Sequence, residues 1–246
     1  MITLQELCTY TDELLDEAAN RDYCPNGLQV EGKHKVSSIA TAVSASLEAI
    51  EKAKELGVDA LFVHHGLFWK NIEPRLQGPL KAKVQTLLDS GISLFGYHLP
   101  LDYHKELGNN WRAAKAMGWD NLSEFEDLGV SGTITPLPLA DFTQKLEEFY
   151  NHKAHHAPGS AEQIESVALI SGGSHWSLKE AIAEGFDAFI TGSFDEPMWQ
   201  MAKESKTHFF ALGHSATEEI GVRALGEHLA EKFGLKATFI PSDNPF

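Results

Sequence analysis

Three short stretches hold residues able to bind metal: Val63-His64-His65-Gly66, Tyr97-His98-Leu99-Pro100-Leu101-Asp102 and Gly213-His214-Ser215-Ala216-Thr217-Glu218. Imidazole nitrogen combined with carboxylate oxygen suits zinc, iron, manganese, cobalt or nickel, and a carboxylate can bridge two such ions where a lone imidazole does not. The four-residue step from His214 to Glu218 places both on one face of a helix that begins at or just after His214. His64 and His65 diverge in a fully extended strand, but where the strand turns over they converge on two neighbouring ions. His64, His65, Asp102, His214 and Glu218 together are enough to hold two divalent metal ions with positions left for water.

Each residue also has a plain structural reading. A single strand-end histidine is more often a hydrogen-bonded core or surface residue than a ligand, and His98, His175 and His208 fall under that reading. Asp102 fits a helix or turn cap, and Glu218 fits a first-turn acid favoured by the helix dipole. What distinguishes the set is that all three stretches fall at expected carboxyl ends of strands, where open α/β sheets collect ligands. His152, His155 and His156 read instead as a solvated histidine-rich turn. The sequence contains no GxxxxGK[ST], no GxGxxG after a strand and no GxSxG, so phosphate-loop, dinucleotide and serine-hydrolase chemistry lack their usual warrants.

The elements that must position these residues follow from apolar spacing and capping. Thr3 and Glu6 form a capping box that opens a helix running to about Ala19. Pro25 to Gly32 is a turn followed by a short extended piece, and Ser38 to Val43 is a buried strand. Ser46 caps a helix over Leu47 to Leu56 that Gly57 ends. Ala60 to Val63 has the continuous apolar character of a parallel strand covered on both faces, with the twin histidines at its carboxyl end. A helix at about Leu80 to Leu88, a strand at Ile92 to Tyr97 and a helix after Asn109 or Asn110 complete a three-layer α/β unit. In the second half, helices are expected over about Ala140 to Tyr150 and over Ser215 to Phe233.

One stretch is written twice. Gly57-Val58-Asp59-Ala60-Leu61-Phe62-Val63 has its counterpart in Gly185-Phe186-Asp187-Ala188-Phe189-Ile190-Thr191, each after an amphipathic helix that opens Ser-Leu. The pattern predicts two related α/β/α lobes, 1–127 and 167–246, with 128–166 as an insertion or connecting segment; a common αβ junction used twice gives the same letters.

The chain has 246 residues, 43% of them hydrophobic, which suits a folded core of one large or two modest domains. The formal charge of −15 argues against unaided nucleic-acid binding, although a bound dication can still attract a phosphorylated small molecule. Cys8 and Cys24 are too few for a disulfide framework and read as reduced thiols in or near the core. The absence of a leader or of a bilayer-length apolar run gives a cytoplasmic expectation with no membrane partner.

Asp22 to Gly32, Val63-His64-His65-Gly66-Leu67-Phe68-Trp69-Lys70, Tyr97 to Asp102 and Gly213 to Glu218 resemble the NIF-three-like family, whose bacterial members are usually named GTP cyclohydrolase 1 type 2 homologues. The resemblance runs from about Asp22 to the C-terminus. It implies a two-lobed subunit assembling into a toroidal homohexamer, a trimer of dimers, with a dinuclear metal site in each subunit. By that resemblance His65 and Asp102 are ligands of one ion, His64 and His214 of the other, and Glu218 is the bridge. Ser215 stands where YbgI-like members carry a second histidine. The activity implied is metal-dependent hydrolysis of a small molecule, a nucleotide or related heterocycle, with His98 as proton shuttle or as support for a ligand. The alternative is a non-catalytic ring that carries metal or a metallocofactor, binds a partner or encircles damaged DNA.

Overall fold

The computed structural model describes residues 1–15, 22–73 and 75–246. The chain begins with β1 (Ile2–Thr3), α1 (Leu4–Leu15), β2 (Gly27–Val30), β3 (Lys35–Val36) and β4 (Ser38–Ser44). It continues through α2 (Leu47–Leu56), β5 (Ala60–His65), α3 (Gly78–Ser90), β6 (Ser93–Gly96) and α4 (Leu99–Tyr103). Next come α5 (Asn109–Ala116), β7 (Asp120–Phe125), β8 (Gly129–Pro138), α6 (Leu139–Tyr150), β9 (His155–Ala157) and β10 (Gln163–Leu169). The last elements are α7 (Leu178–Glu184), β11 (Ala188–Thr191), α8 (Pro197–Lys203), β12 (His208–Ala211), α9 (His214–Phe233) and β13 (Lys236–Phe239). This is a mixed α/β fold.

Contacts divide the chain into two compact units, Met1–His104 with Gly221–Asp243 and Lys105–Ile220 with Asn244–Phe246. The first contains a five-stranded sheet in the order β13-β4-β5-β6-β2, parallel except for β2 at one edge. Its core gathers Ile50 and Leu87 from the helices with Leu61, Val63 and Leu94 from the sheet. Phe62 and Phe95, paired across β5 and β6, stack with ring centroids 4.4 Å apart. Burying each such ring contributes about 1.5–3 kcal/mol. The second unit contains a six-stranded sheet, β7-β8-β10-β11-β12-β9, in which β10, β11 and β12 run parallel. One apolar cluster gathers Trp119, Phe142, Ile190 and Phe210; the other gathers Phe125, Leu178, Phe189 and Phe209.

The expected boundaries at 127/128 and 166/167 are not where these contacts fall. Residues 128–166, read as an insertion, supply β8, β9 and the first part of β10, and β8 is paired antiparallel with both β7 and β10. Pro136 and Pro138 sit in the exposed distal part of β8, where a missing N–H costs little. β13 near the C-terminus pairs with β4, far back in sequence.

The local signals hold at the places that matter for the strand ends. The capping box is formed, with Thr3 N donating to Glu6 Oε2 at 3.0 Å and Glu6 N to Thr3 Oγ1 at 3.2 Å. The helix it opens is described to Leu15, and its expected run to Ala19 lies outside the described residues. Ser46 Oγ accepts from Ala49 N, and Gly57 closes α2 in the left-handed region at φ 66°, which glycine enters without steric cost. Among the described residues no helix is long and apolar enough to cross a membrane.

Candidate metal centre

In the first unit β5 delivers His64 and His65 as its last two residues. His64 is fully buried, and its Nδ1 lies 3.1 Å from the Tyr97 carbonyl oxygen. A carbonyl only accepts, so Nδ1 carries the proton and Nε2 presents its lone pair, the state a metal requires. That Nε2 is 3.5 Å from Asp102 Oδ2. Asp102 is buried in α4, whose first turn contains Pro100. His65 pairs in register with Ser44, and its Nδ1 is 3.0 Å from Ser44 Oγ. The two rings lie close, with centroids 4.8 Å apart, although both residues are still within the strand.

His98 is drawn into the same cluster. Donor atoms of His64, His65 and His98 all lie within 4.8 Å of one another, a group that could hold an ion. The His98 ring is fixed from behind by Asp22, whose Oδ1 is 2.9 Å from Nδ1. Asp22 also accepts from Leu99 N, Tyr23 N and Asn26 Nδ2, while Asn26 Oδ1 accepts from His98 N. Burial on its own would raise the Asp22 carboxyl; the His98 hydrogen bond and charge, with those from Asn26 and Leu99, outweigh it and hold the group well below the usual carboxylate range. Cys24 forms a second group with Asp22 and His98. Burial and the Asp22 charge push its thiol far up, so it offers no thiolate at neutral pH and remains the buried reduced cysteine expected.

In the second unit His214 is the first residue of α9, and Glu218 lies one turn on. Their Nε2 and Oε1 atoms are 3.2 Å apart, and His214 Nδ1 is 3.1 Å from Ser193 Oγ. Thr217 Oγ1 ties this turn down by accepting from Gly172 N at 3.0 Å and lying 3.0 Å from the Gly213 carbonyl oxygen. Gly172 packs so closely on Glu218 that a Cβ there would collide with Oε1.

Each unit therefore assembles part of the expected donor set: His64, His65 and Asp102 in one, His214 and Glu218 in the other. Their chemistry fits divalent transition metals, because imidazoles with an engaged Nδ1 and a presented Nε2 face buried carboxylates. His175 and His208 stand apart, His175 beside Asp195 at 3.8 Å and His208 donating from Nε2 to the Ala161 carbonyl oxygen at 2.9 Å. The reading of His155 and His156 as a solvated turn is overturned: both lie in β9, with His155 exposed and His156 turned in to stack on Phe210 at 4.6 Å. Strand alternation separates the two. Asp22, Asn26, Ser44 and Ser193 were given no role from sequence; the first two stood only within the Asp22 to Gly32 stretch that carries the resemblance.

A mixed α/β chain with histidines and carboxylates gathered at carboxyl strand ends is a candidate metalloprotein class. The comparisons place it further. The family model for Duf34/NIF3 (NGG1p interacting factor 3) matches residues 2–245, and the chain belongs to that family. It is 41% identical over 251 residues to a Chlamydia pneumoniae protein named GTP cyclohydrolase 1 type 2 homolog, covering 100% of both chains. It is 42% identical over 242 residues to the Escherichia coli (strain K12) protein of the same name, covering 98% of each. A solved structure described as protein ybgI of unknown function superposes with a TM-score of 0.95 at 41% identity, covering 100% of both chains.

Proposed function

We propose that the two donor sets act together as a dinuclear divalent-metal site, and that the protein is a metal-dependent hydrolase of a nucleotide or related heterocycle. The observation that carries this reading is the matched orientation of the imidazoles: His64 and His214 each have Nδ1 engaged, with Nε2 facing a buried carboxylate 3.5 and 3.2 Å away. His64 and Asp102, whose donor atoms face each other, would hold one ion and His65 and His214 the other, the reverse of the partition the resemblance implies, with Glu218 a ligand to both. When bound, such ions supply Lewis-acid polarisation and water activation. The chain's own contribution is to keep the imidazoles neutral and oriented, and to hold His98 by Asp22 so that its other nitrogen can pass a proton. The names of the relatives support a heterocyclic substrate, and a homohexameric ring, a trimer of dimers, completes the proposal.

Elemental analysis of untagged protein purified anaerobically tests the site. About two transition-metal ions per chain are expected, with Glu218→Ala and Glu218→Gln both losing metal while His152→Ala retains it. No bound metal, and none taken up on titration, would overturn the assignment. Metal-loaded protein that turned over no nucleotide, phosphoester or cyclic amide, and gave its metal readily to a chelator, would instead identify a metal carrier.

A further inference from the structure

We infer that a cavity beside the histidine cluster, walled by Tyr23, Phe68, Trp69 and Leu80, binds a flat heteroaromatic ring that carries an anionic group. The cavity is about 490 Å³ and lies entirely within the first unit. That volume is of the size that holds a small organic ligand.

Its aromatic wall is shared with the imidazoles. Trp69 meets His98 edge to face at 5.2 Å and 80°, and lies 6.0 Å from His65. Tyr23 meets His98 at 5.1 Å and 69°. A ring seated on Tyr23 and Trp69 is therefore held against the edge of the cluster. Tyr23 is 52% exposed, so part of its ring is open for a ligand to cover. Aromatic side chains accept any flat ring by stacking.

The anionic preference comes from Lys70. Its Nζ sits at the rim, 3.2 Å from the Asp22 carbonyl oxygen. The other charged groups that line it are already engaged: the Asp22 carboxylate by His98, Leu99 N, Tyr23 N and Asn26, and Glu73 by Arg75 Nε at 2.7 Å. Lys70 supplies the ammonium among the lining residues, a point charge that attracts a phosphate or carboxylate substituent. The Cys24 side chain also lines the cavity and, kept protonated by burial, serves as an apolar surface.

This inference deepens the hydrolase reading by assigning the cavity and the residues that would seat its substrate, and it rests on that reading for the role of the histidines but not for binding. Isothermal titration of the full-length protein as purified, and again after chelation, with 1-naphthyl phosphate and with guanosine monophosphate tests it. Both should saturate near one site per chain, with ribose 5-phosphate at least about tenfold weaker. Trp69→Leu should weaken the ring probes about tenfold or more, and Tyr23→Ala provides the same reading if the Trp69 variant does not fold. Lys70→Ala should weaken the phosphorylated probes and leave guanosine unchanged. Trp199→Leu, an exposed aromatic of the second unit, should change nothing. Ring probes that bind no tighter than ribose 5-phosphate, or that ignore the Trp69 and Tyr23 changes, overturn the inference. Metal content measured on the same samples keeps the readings apart: ring binding without metal sinks the metal site alone, and metal without ring binding sinks the cavity alone.

Discussion

The two units use the same junction and arm it differently. In the first, Asp59 Oδ2 accepts from Ser37 N, Ser37 Oγ and Ser38 N; in the second, Asp187 Oδ2 accepts from Glu165 N, Ser166 N and Ser166 Oγ. The backbone bonds repeat as well, Asp59 N to Ser38 O and Ser93 N to Asp59 O matching Asp187 N to Ser166 O and His208 N to Asp187 O. Gly57 and Gly185 close the preceding helices in the same left-handed conformation. At the other end of the strands the likeness stops. Tyr97 N donates to Val63 O and Leu212 N to Thr191 O, so the positions of His64 and His65 correspond to Gly192 and Ser193. The first unit places imidazoles directly on its strand, whereas the second leaves small residues there and brings His214 and Glu218 in on a helix. The foot of each strand specifies structure, and its carboxyl end is where chemistry can vary without loss of fold.

If the two junctions are one device, Asp59→Ala and Asp187→Ala should each cost about 2–4 kcal/mol in urea unfolding, because each strands two backbone donors and a serine hydroxyl. Asp187→Ala should be the costlier, since Asp187 also pairs with Lys206 at 2.6 Å against 3.4 Å for Lys33 and Asp59. A neutral Asp59→Ala would break the equivalence. A smaller effect sharpens the contrast at the carboxyl ends. Ser44 and Ser193 hold the Nδ1 atoms of His65 and His214 from non-equivalent positions. Ser44→Ala and Ser193→Ala should each weaken metal binding about 10-fold in a competitive chelator titration, as loss of a ligand-orienting partner does. Unchanged affinity in either would show that the serine does not orient its ligand.

Much of the scaffold was legible because its signals are local: the Thr3–Glu6 box, the Ser46 cap, the Gly57 stop and the apolar run ending in His64-His65 all specify backbone within a few residues. The repeated Gly-x-Asp pattern marked the two equivalent junctions for the same reason. The division of the chain was not legible, since it depends on β13 returning to β4 and on β8 pairing with β10, contacts between distant segments that periodicity does not encode. The donor residues could be named from type and strand-end position, but the groups that orient them could not. Asp22 reaches His98 across 76 residues, and nothing about an acid before Tyr23-Cys24-Pro25 announces that reach.

The edge strands give the smallest and most specific test. Each sheet has an antiparallel edge strand beside its parallel set, β2 on β6 and β9 on β12. β2 is tied into the site through Gln29, whose Oε1 accepts from Leu67 N at 2.7 Å, whereas β9 depends on a histidine pair, His156 Nε2 lying 3.0 Å from His208 Nδ1. His208 Nε2 donates to Ala161 O, so its Nδ1 accepts from Gly159 N and from His156, an arrangement that requires neutral His208. Burial, aided by the neighbouring His208, lowers the His156 pKa to about 4. A histidine depressed in the folded state takes up its proton more readily when unfolded, so stability is full above the unfolded value of about 6.5 and falls as pH drops toward 4. Allowing for partial exposure, His156 contributes about 1 kcal/mol of that loss. Urea unfolding at pH 7 and pH 5 should show the drop in the parent protein and a flatter dependence in His156→Gln, which retains a donor for His208. An unchanged slope in the variant would remove His156 as the titrating group and leave the β9 edge no more pH-sensitive than β2.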